Sequence, residues 1–466
     1  MYMYLKLMNE LEELILKEPY KDGQKLPSIR MLSEQYGCSK STIIKALDEL
    51  EKRHLIYAMP KSGYYVVKGT NSSQGQASPI LNFSDAAPDP NVFPYLDFQH
   101  CINKAIDTYQ KDLFVYGTAK GMASLIDIVR KQLMGYQVFT EERNIFVVSG
   151  VQQALSLLAA MPFPNGKQKV LIEQPGYHLL IEYLETRRMP VIGIERRFAG
   201  IDFDKLENIF RTEDIKFFYT MPRFHNPLGC SYTSKEKKRL ARLAAKYDVY
   251  IVEDDYLADF EQDSKADPLF AHDNSSHVIY LKSYSKIIFP GLRIGIAVIP
   301  DPLVETFRLY KKQNDIDSSM LSQAALEIYL RSGMFDRHLA KIRSRYAARA
   351  KLLDAALAKE AARNGGAFTY ERSKHPFIHT HILLDRRVSA AQLIAKLKKE
   401  SILLESLDRN YLNNFERDNL VKLNATNVNE DDIARGIERI GAIVALLTKH
   451  RHVTKMKSSP TSGEKN

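Results

Sequence analysis

Cysteine is scarce in this sequence: Cys38, Cys101 and Cys230 are the only three in 466 residues. They lie far apart, are odd in number and show no paired metal-ligand spacing, so neither a disulfide framework nor a zinc site is supported, and no metal is expected. Long apolar runs are missing too. Nothing approaches the roughly 18 consecutive apolar residues of a membrane helix, so no membrane partner is expected. Met1 to Lys17 mixes Lys and Glu with Leu, which is not the pattern of a secretory signal. Together these absences predict a cytoplasmic protein. No internal repeat is visible. From Lys68 to Pro79 the chain reads KGTNSSQGQASP, with no aliphatic side chain larger than Ala. Such a segment buries too little apolar surface to offset its ordering entropy and is expected to be a flexible linker.

Elsewhere the composition is ordinary, with 45% apolar and 26% charged residues, which excludes disorder as a description of the whole chain. A soft prior of about 150 residues per domain predicts two to four domains. The expected division is a module over 1–68, a linker over 69–80, a large body over 81–448 and a polar basic tail over 449–466. Net charge is +10, which favours polyanionic partners but says little about fold. The module is almost balanced, with 11 Lys/Arg against 9 Asp/Glu, while the tail holds five Lys/Arg against one Glu.

Leu5 to Leu16 places Leu7, Met8, Leu11, Leu14 and Ile15 on one helical face. Ser28 is the expected N-cap of a short helix ending at Tyr36, and Gly37 suits the left-handed position that closes it. Ser39 caps a second helix with Ile43, Ala46, Leu47 and Leu50 on its apolar face. Two helices joined by about three residues including a Gly make a helix-turn-helix. Ile56-Tyr57 and Tyr64 to Val67 flank PKSG and read as a hairpin, or wing. Any small three-helix domain, including a protein–protein module, shares this periodicity. The polar positions point further. Ser39, Lys40, Ser41 and Thr42 crowd the turn where recognition helices meet bases and phosphates, and Lys61 occupies the hairpin tip.

The string GQKLPSIRMLSEQYGCSKSTIIKALDELEKRHLI…SGYYV resembles the GntR-type winged helix-turn-helix over residues 4–67. The resemblance implies double-stranded promoter DNA as partner, with Arg30, Lys40, Ser41, Thr42 and Gly63 at its surface. The family commonly has Arg where this chain has Lys40. Lys lacks the bidentate fork that reads guanine, so a phosphate contact is expected there.

In the body, strand candidates Ile145–Val148, Val170–Glu173, Lys216–Thr220, Val249–Glu253, Val278–Lys282 and Ile294–Ile299 alternate with helices such as Gln152–Ala160 and Ser234–Lys246. The latter opens with a Thr233/Glu236 capping box. Alternation predicts a mainly parallel α/β sheet, whose ligands sit at the carboxyl ends of its strands. Those ends carry Ser149-Gly150-Val151-Gln152, a turn into a helix that favours phosphate; His225-Asn226-Pro227; Glu253-Asp254-Asp255-Tyr256; and Ser283-Tyr284-Ser285-Lys286, followed by Arg293. Alone, the acidic pair is equally compatible with a metal site, a helix cap or a base.

The ordered set resembles the fold-type I pyridoxal-phosphate enzymes of the aminotransferase class I/II group, over about 82–447. The resemblance implies a mainly parallel large domain with a smaller C-terminal α/β subdomain. It makes Lys286 the lysine that forms a Schiff base with pyridoxal 5′-phosphate. Asp254 would pair with the pyridine nitrogen, Asn226 and Tyr256 would reach the 3′-oxygen, and Tyr177 would stack on the ring. Val151, Gln152, Ser283, Ser285 and Arg293 would hold the phosphate, with Tyr116 contributed by a neighbouring subunit.

Joined in this order, the two halves resemble the MocR-type regulators. That implies a head-to-tail homodimer that senses pyridoxal phosphate or an amine through chemistry at Lys286, without physiological turnover. The alternative is a working aminotransferase with an appended DNA-binding module. Where the group carries an Arg for a substrate carboxylate, this chain has Lys422, so ordinary transamination of an α-amino acid is not expected. Arg223 is a second candidate for that carboxylate.

Overall fold

The structure, a computed structural model, describes residues 3–16, 23–52, 55–59, 62–67, 80–84, 87–263, 265–373 and 377–456. Lys61, residues 69–79 of the linker and the end of the basic tail lie outside the described residues. The chain divides into two compact units, Met1–Pro79 and Ile80–Asn466.

The first unit contains helices α1 (Met3–Leu16), α2 (Ile29–Tyr36) and α3 (Lys40–Lys52), followed by strands β1 (Ile56–Met59) and β2 (Gly63–Val66). Local chemistry sets these boundaries. The Ser28 hydroxyl accepts the Met31 N–H at 3.3 Å, Gly37 closes α2 at φ 60°, and Ser39 Oγ accepts the Thr42 N–H at 3.2 Å. Leu7, Leu11 and Ile15 of α1 meet Ile43, Ala46, Leu47 and Leu50 of α3 in one core with Ile56 and Val66. β1 and β2 pair antiparallel from Ile56↔Val66 to Met59↔Gly63. Three helices and a hairpin around one core form a winged helix-turn-helix.

In the second unit, β3 (Leu81–Asn82), α4 (Tyr95–Tyr109) and α5 (Ala123–Gly135) precede the main sheet. The sheet is built from β4 (Ile145–Val148), β5 (Lys169–Gln174), β6 (Val191–Arg197), β7 (Gly200–Ile201), β8 (Ile215–Thr220), β9 (Tyr250–Asp254), β10 (Val278–Ser283) and β11 (Gly295–Val298). Their order is β4-β11-β10-β9-β8-β5-β6-β7. The central pairs β6/β5, β5/β8, β8/β9 and β9/β10 are parallel, whereas β11 runs antiparallel between β10 and β4. Every residue of β4, β8, β9 and β10 is buried, as strands covered by helices on both faces must be. The covering helices include α6 (Val151–Ala160), α7 (His178–Thr186), α8 (Phe203–Thr212) and α9 (Ser234–Tyr247), and α9 opens with the Thr233/Glu236 capping box. The strand expected at 249–253 begins and ends one residue later, which makes Asp254 its last residue.

Helices α10 (Asp301–Asp315), α11 (Met320–Arg331) and α12 (Met334–Arg363) lead to a second sheet. It consists of β12 (Phe368–Thr369), β13 (His379–Leu384), β15 (Glu405–Ser406) and β16 (Leu420–Asn424), all antiparallel, while β14 (Ile402–Leu403) pairs with β3. Helices α13 (Ala390–Lys398) and α14 (Glu430–Met456) complete this smaller part. Among the described residues no helix is long and apolar enough to cross a membrane.

Candidate functional site

Sheet register gathers the site. Ser283 of β10 pairs with Gly295 of β11, which pairs with Val148 of β4, so the turns after β4 and β10 and the start of β11 share one edge. On the same edge, Leu281 pairs with Asp254, and Glu253 with Thr220. The carboxyl ends of four strands therefore converge.

At the β4 end, Ser149-Gly150 turns into α6, with Gly150 at φ 84°. A Cβ there would lie 2.8 Å from Arg293 Nη2, and one on Gly295 would lie 2.9 Å from the Val151 nitrogen. Arg293, at φ 56°, donates Nη2–H to the Ser149 carbonyl at 3.0 Å. The first N–H groups of α6, at Val151 and Gln152, have no intrahelical acceptor, so helix terminus and guanidinium together form an anion cradle. Across the register lies Ser283, whose Oγ accepts the Ser285 N–H at 3.2 Å.

Asp254 is 5% exposed. Its Oδ2 accepts the Tyr219 hydroxyl at 2.8 Å, while buried Oδ1 has no hydrogen-bond partner among the described residues. Burial raises its pKa to about 7, with the Tyr219 hydroxyl opposing and Asp255 reinforcing the rise. Burial, then the charge of Asp254, pushes the Tyr177 phenol up to about 12. Asn226 likewise keeps a buried Oδ1 unpartnered among the described residues. Tyr256 donates its hydroxyl to the Phe224 carbonyl at 2.9 Å.

Lys286 and Lys422 both line a solvent-open cleft, about 370 Å³ with its open mouth included, together with Asn226, Tyr256, His379, Asn424 and Thr426 and the less polar Pro88, Leu257, Phe260, Tyr346 and Ile378. Lys422 is 7% exposed and lies 3.9 Å from Glu405. His379 Nε2 lies 3.2 and 3.3 Å from the carbonyls of Phe224 and His225, which makes that nitrogen the donor. Burial, then Lys422, lowers His379 to about 3, so its ring is neutral.

One expected residue is placed differently. Arg223 is buried and its guanidinium is already occupied: Nε donates to Asp255 Oδ1 at 3.0 Å, Nη2 to Oδ2, and Nη1 to the Ala266 carbonyl at 3.0 Å. The carboxylate it grips belongs to this chain, which corrects the expectation of an effector contact. Tyr116, expected to serve a neighbouring subunit's site, is 81% exposed and does not line this chain's own cleft, and its neighbour Gly117 is anchored to Asp317 at 2.6 Å.

Several residues of the site escaped sequence reasoning. Glu173, near the end of β5, accepts the Tyr232 hydroxyl at 2.6 Å and the Met221 N–H at 3.2 Å, and lies 3.3 Å from His225 Nε2. Burial pushes the Glu173 carboxyl up, but His225 and Arg196 outweigh it, and the net shift is downward. This buried group supports the loop that presents Asn226. Asn424 and Thr426 escaped sequence reasoning too; they alternate along the chain with the expected Lys422 and all three line the cleft, a period-two pattern visible in VKLNAT.

In the first unit, Arg30 is exposed and paired with Glu34 at 3.0 Å. Ser39 Oγ lies 2.8 Å from both Ser41 Oγ and Thr42 Oγ1, so three hydroxyls cluster at the start of α3 beside exposed Lys40. Gly63, at φ 113°, opens β2.

A mixed sheet with a strand-end cradle, a buried acid and a cleft lysine is the architecture of aminotransferase fold type I, here in one chain with a winged helix-turn-helix. The family model for aminotransferase class I and II matches residues 89–440, and that for bacterial regulatory proteins of the gntR family matches 3–66. The chain is 58% identical over 439 residues to the uncharacterized HTH-type transcriptional regulator YcxD of Bacillus subtilis (strain 168), covering 94% of this chain and 99% of that protein. It is 28% identical over 381 residues to the probable rhizopine catabolism regulatory protein MocR of Rhizobium meliloti, covering 75% and 76%. The structure of the α-aminoadipate aminotransferase LysN from Thermus thermophilus has a TM-score of 0.71 at 24% identity, covering 80% of this chain and 93% of that one. The chain belongs to the MocR-type transcriptional regulators, with a GntR-family DNA-binding domain and a class I/II aminotransferase domain whose cofactor is pyridoxal 5′-phosphate.

The residues present fit that cofactor. It supplies an aldehyde on an electron-withdrawing ring. Asp254 Oδ1 and Asn226 Oδ1 are buried acceptors without a partner among the described residues, suited to a ring N–H and a phenolic O–H. The Ser149–Gln152 turn with Arg293 suits a phosphate dianion.

Proposed function

We propose that this regulator holds pyridoxal phosphate by covalent attachment at Lys286 and takes the cofactor itself, or an amine that meets it there, as its signal. Asp254 pairs with the ring nitrogen, Asn226 and Tyr256 face the 3′-oxygen, and Tyr177 stacks on the ring. Val151, Gln152, Ser283, Ser285 and Arg293 hold the phosphate. The observation that carries this reading is the single cleft that joins Lys286 to Asn226, Tyr256 and Lys422.

Arg30, Ser39, Lys40, Ser41, Thr42, Lys61 and Gly63 face promoter DNA, with residues 1–68 as the binding module, 69–80 as its tether, 81–448 as the sensing body and 449–466 as a basic tail. The protein works in the cytoplasm as a head-to-tail homodimer. Phe114, Val115 and Tyr116, consecutive and all strongly exposed, support that assembly, with Tyr116 completing the partner's phosphate site. Borohydride reduction followed by peptide mass analysis tests the attachment. A cofactor adduct on the Lys286 peptide that disappears in Lys286→Ala is expected; an adduct that survives the substitution overturns the assignment.

A further inference from the structure

We infer that Asp315, its charge balanced by buried Lys311, is a positioning residue for the cofactor phosphate, acting through the Ser149 turn. The inference rests on the reading that pyridoxal phosphate attaches at Lys286 with its phosphate on that turn. The contacts around Ser149 carry it. The Ser149 N–H donates to Gln153 Oε1 at 2.8 Å, its hydroxyl donates to Asp315 Oδ2 at 3.0 Å, and its carbonyl accepts from Arg293 Nη2 at 3.0 Å. The Gln153 amide in turn donates to Asp315 Oδ2 at 2.6 Å. A carboxylate accepts and does not donate, so it draws the Gln153 NH2 group toward itself and turns Oε1 to the Ser149 N–H. One carboxylate oxygen thereby orders two of the three polar groups of Ser149. The third ties the turn to the guanidinium of the phosphate site.

Asp315 Oδ1 accepts from Lys311 Nζ at 2.9 Å, and Lys311 is fully buried. A lone carboxylate bonded to an anion-binding turn would repel phosphate; paired with this ammonium it keeps its hydrogen bonds without net charge. The local structure is unfavourable by itself. Asp315 is the last residue of α10, where the helix dipole disfavours a negative charge. Ile316 follows at φ 55° and ψ −61°, with the Asp317 N–H donating to the Asp315 carbonyl, a γ-turn that strains a β-branched residue. The turn sends two carboxylates to different partners: Asp315 meets the Ser149 turn, and Asp317 Oδ2 accepts the Gly117 N–H at 2.6 Å. Breaches of local preference at adjacent positions are what functional sites show.

The test titrates full-length protein with pyridoxal phosphate and, separately, with pyridoxal, which has the same ring and aldehyde without the phosphate. The adduct at Lys286 is read from absorbance. A residue that positions the phosphate site affects the first ligand and not the second. Asp315→Asn is expected to bind pyridoxal phosphate about 10-fold more weakly than wild type and pyridoxal within about twofold. Equal weakening of both ligands makes the role a general structural one and overturns the inference, as does wild-type affinity for pyridoxal phosphate. Should loss of the charge beside buried Lys311 prevent folding, Ser149→Ala carries the same test, because it leaves the ion pair intact. It is expected to weaken pyridoxal phosphate about threefold with pyridoxal unchanged; a parallel change in both, or no change, overturns the inference. If wild type forms no adduct, or one that persists in Lys286→Ala, the underlying reading has failed. If the Lys286 adduct forms and the preference for the phosphorylated ligand ignores Asp315, this inference alone falls.

Discussion

Replacing Asp254 by Asn separates the charge of this buried side chain from its shape. Burial lifts the carboxyl from 3.8 to about 7. An acid whose folded-state pKa lies above its unfolded one costs no stability below the unfolded value; the cost grows between the two and is complete above the folded value. At about 1.36 kcal/mol per unit, that cost is about 1.6 kcal/mol at pH 5 and about 4 kcal/mol at pH 8.5. The amide is neutral throughout and has its own burial cost, about 1–3 kcal/mol for an unpaired group, at every pH. The pH dependence is therefore the clean quantity: relative to wild type, cofactor-free Asp254→Asn gains about 3 kcal/mol between pH 5 and pH 8.5. A unit the size of residues 80–466 unfolds with an entropy of about 0.8 kcal/mol/K, so the difference in thermal midpoint moves by about 3–4 °C. Scanning calorimetry of cofactor-free protein at the two pH values measures it. With cofactor present the sign reverses, because the ring nitrogen loses its counterion and affinity falls. A midpoint difference that is the same at both pH values refutes the reasoning.

Three further outcomes follow from the same geometry. Arg223→Ala leaves Asp255 buried without its cation and is expected to destabilise the body by about 3–5 kcal/mol; unchanged thermal stability together with lost amine binding would return Arg223 to the effector. Glu34→Gln releases Arg30 from its exposed ion pair and is expected to raise DNA affinity about two- to threefold with a steeper salt dependence. Unchanged affinity and slope in a filter-binding or anisotropy titration would contradict a phosphate contact. Gly295→Ala places a methyl group 2.9 Å from the Val151 nitrogen and 3.1 Å from the Gly150 carbonyl carbon. It is expected to push the anion turn outward and cost about 10-fold or more in cofactor affinity, and wild-type affinity in an equilibrium titration would refute that packing.

What could be read from the sequence was local. The Ser28 and Ser39 caps, Gly37 and the Thr233/Glu236 box are each fixed by residues within four positions, and each forms as expected. The strand ends that carry Asn226, Asp254 and Lys286 were legible because apolar runs stop at polar residues. Pairings across the sheet were not. Arg223 and Asp255 follow neighbouring strands but lie 32 positions apart, and no periodicity links them. The same holds for Asp89 with Arg349, separated by 260 positions, and for His379, which reaches the Asn226 loop from another sheet. Buried ion pairs of this kind decide which charges remain for a ligand, which is why Arg223 looked available and is not.

The central claim is that the body reports on pyridoxal phosphate to the DNA-binding module. The most direct measurement is binding to DNA upstream of the chain's own coding region, comparing cofactor-free and pyridoxal-phosphate-loaded protein, with Lys286→Ala alongside. Loading is expected to change affinity or footprint in the wild type and to leave Lys286→Ala unchanged. Identical binding by both wild-type forms, with and without an amine present, would contradict it.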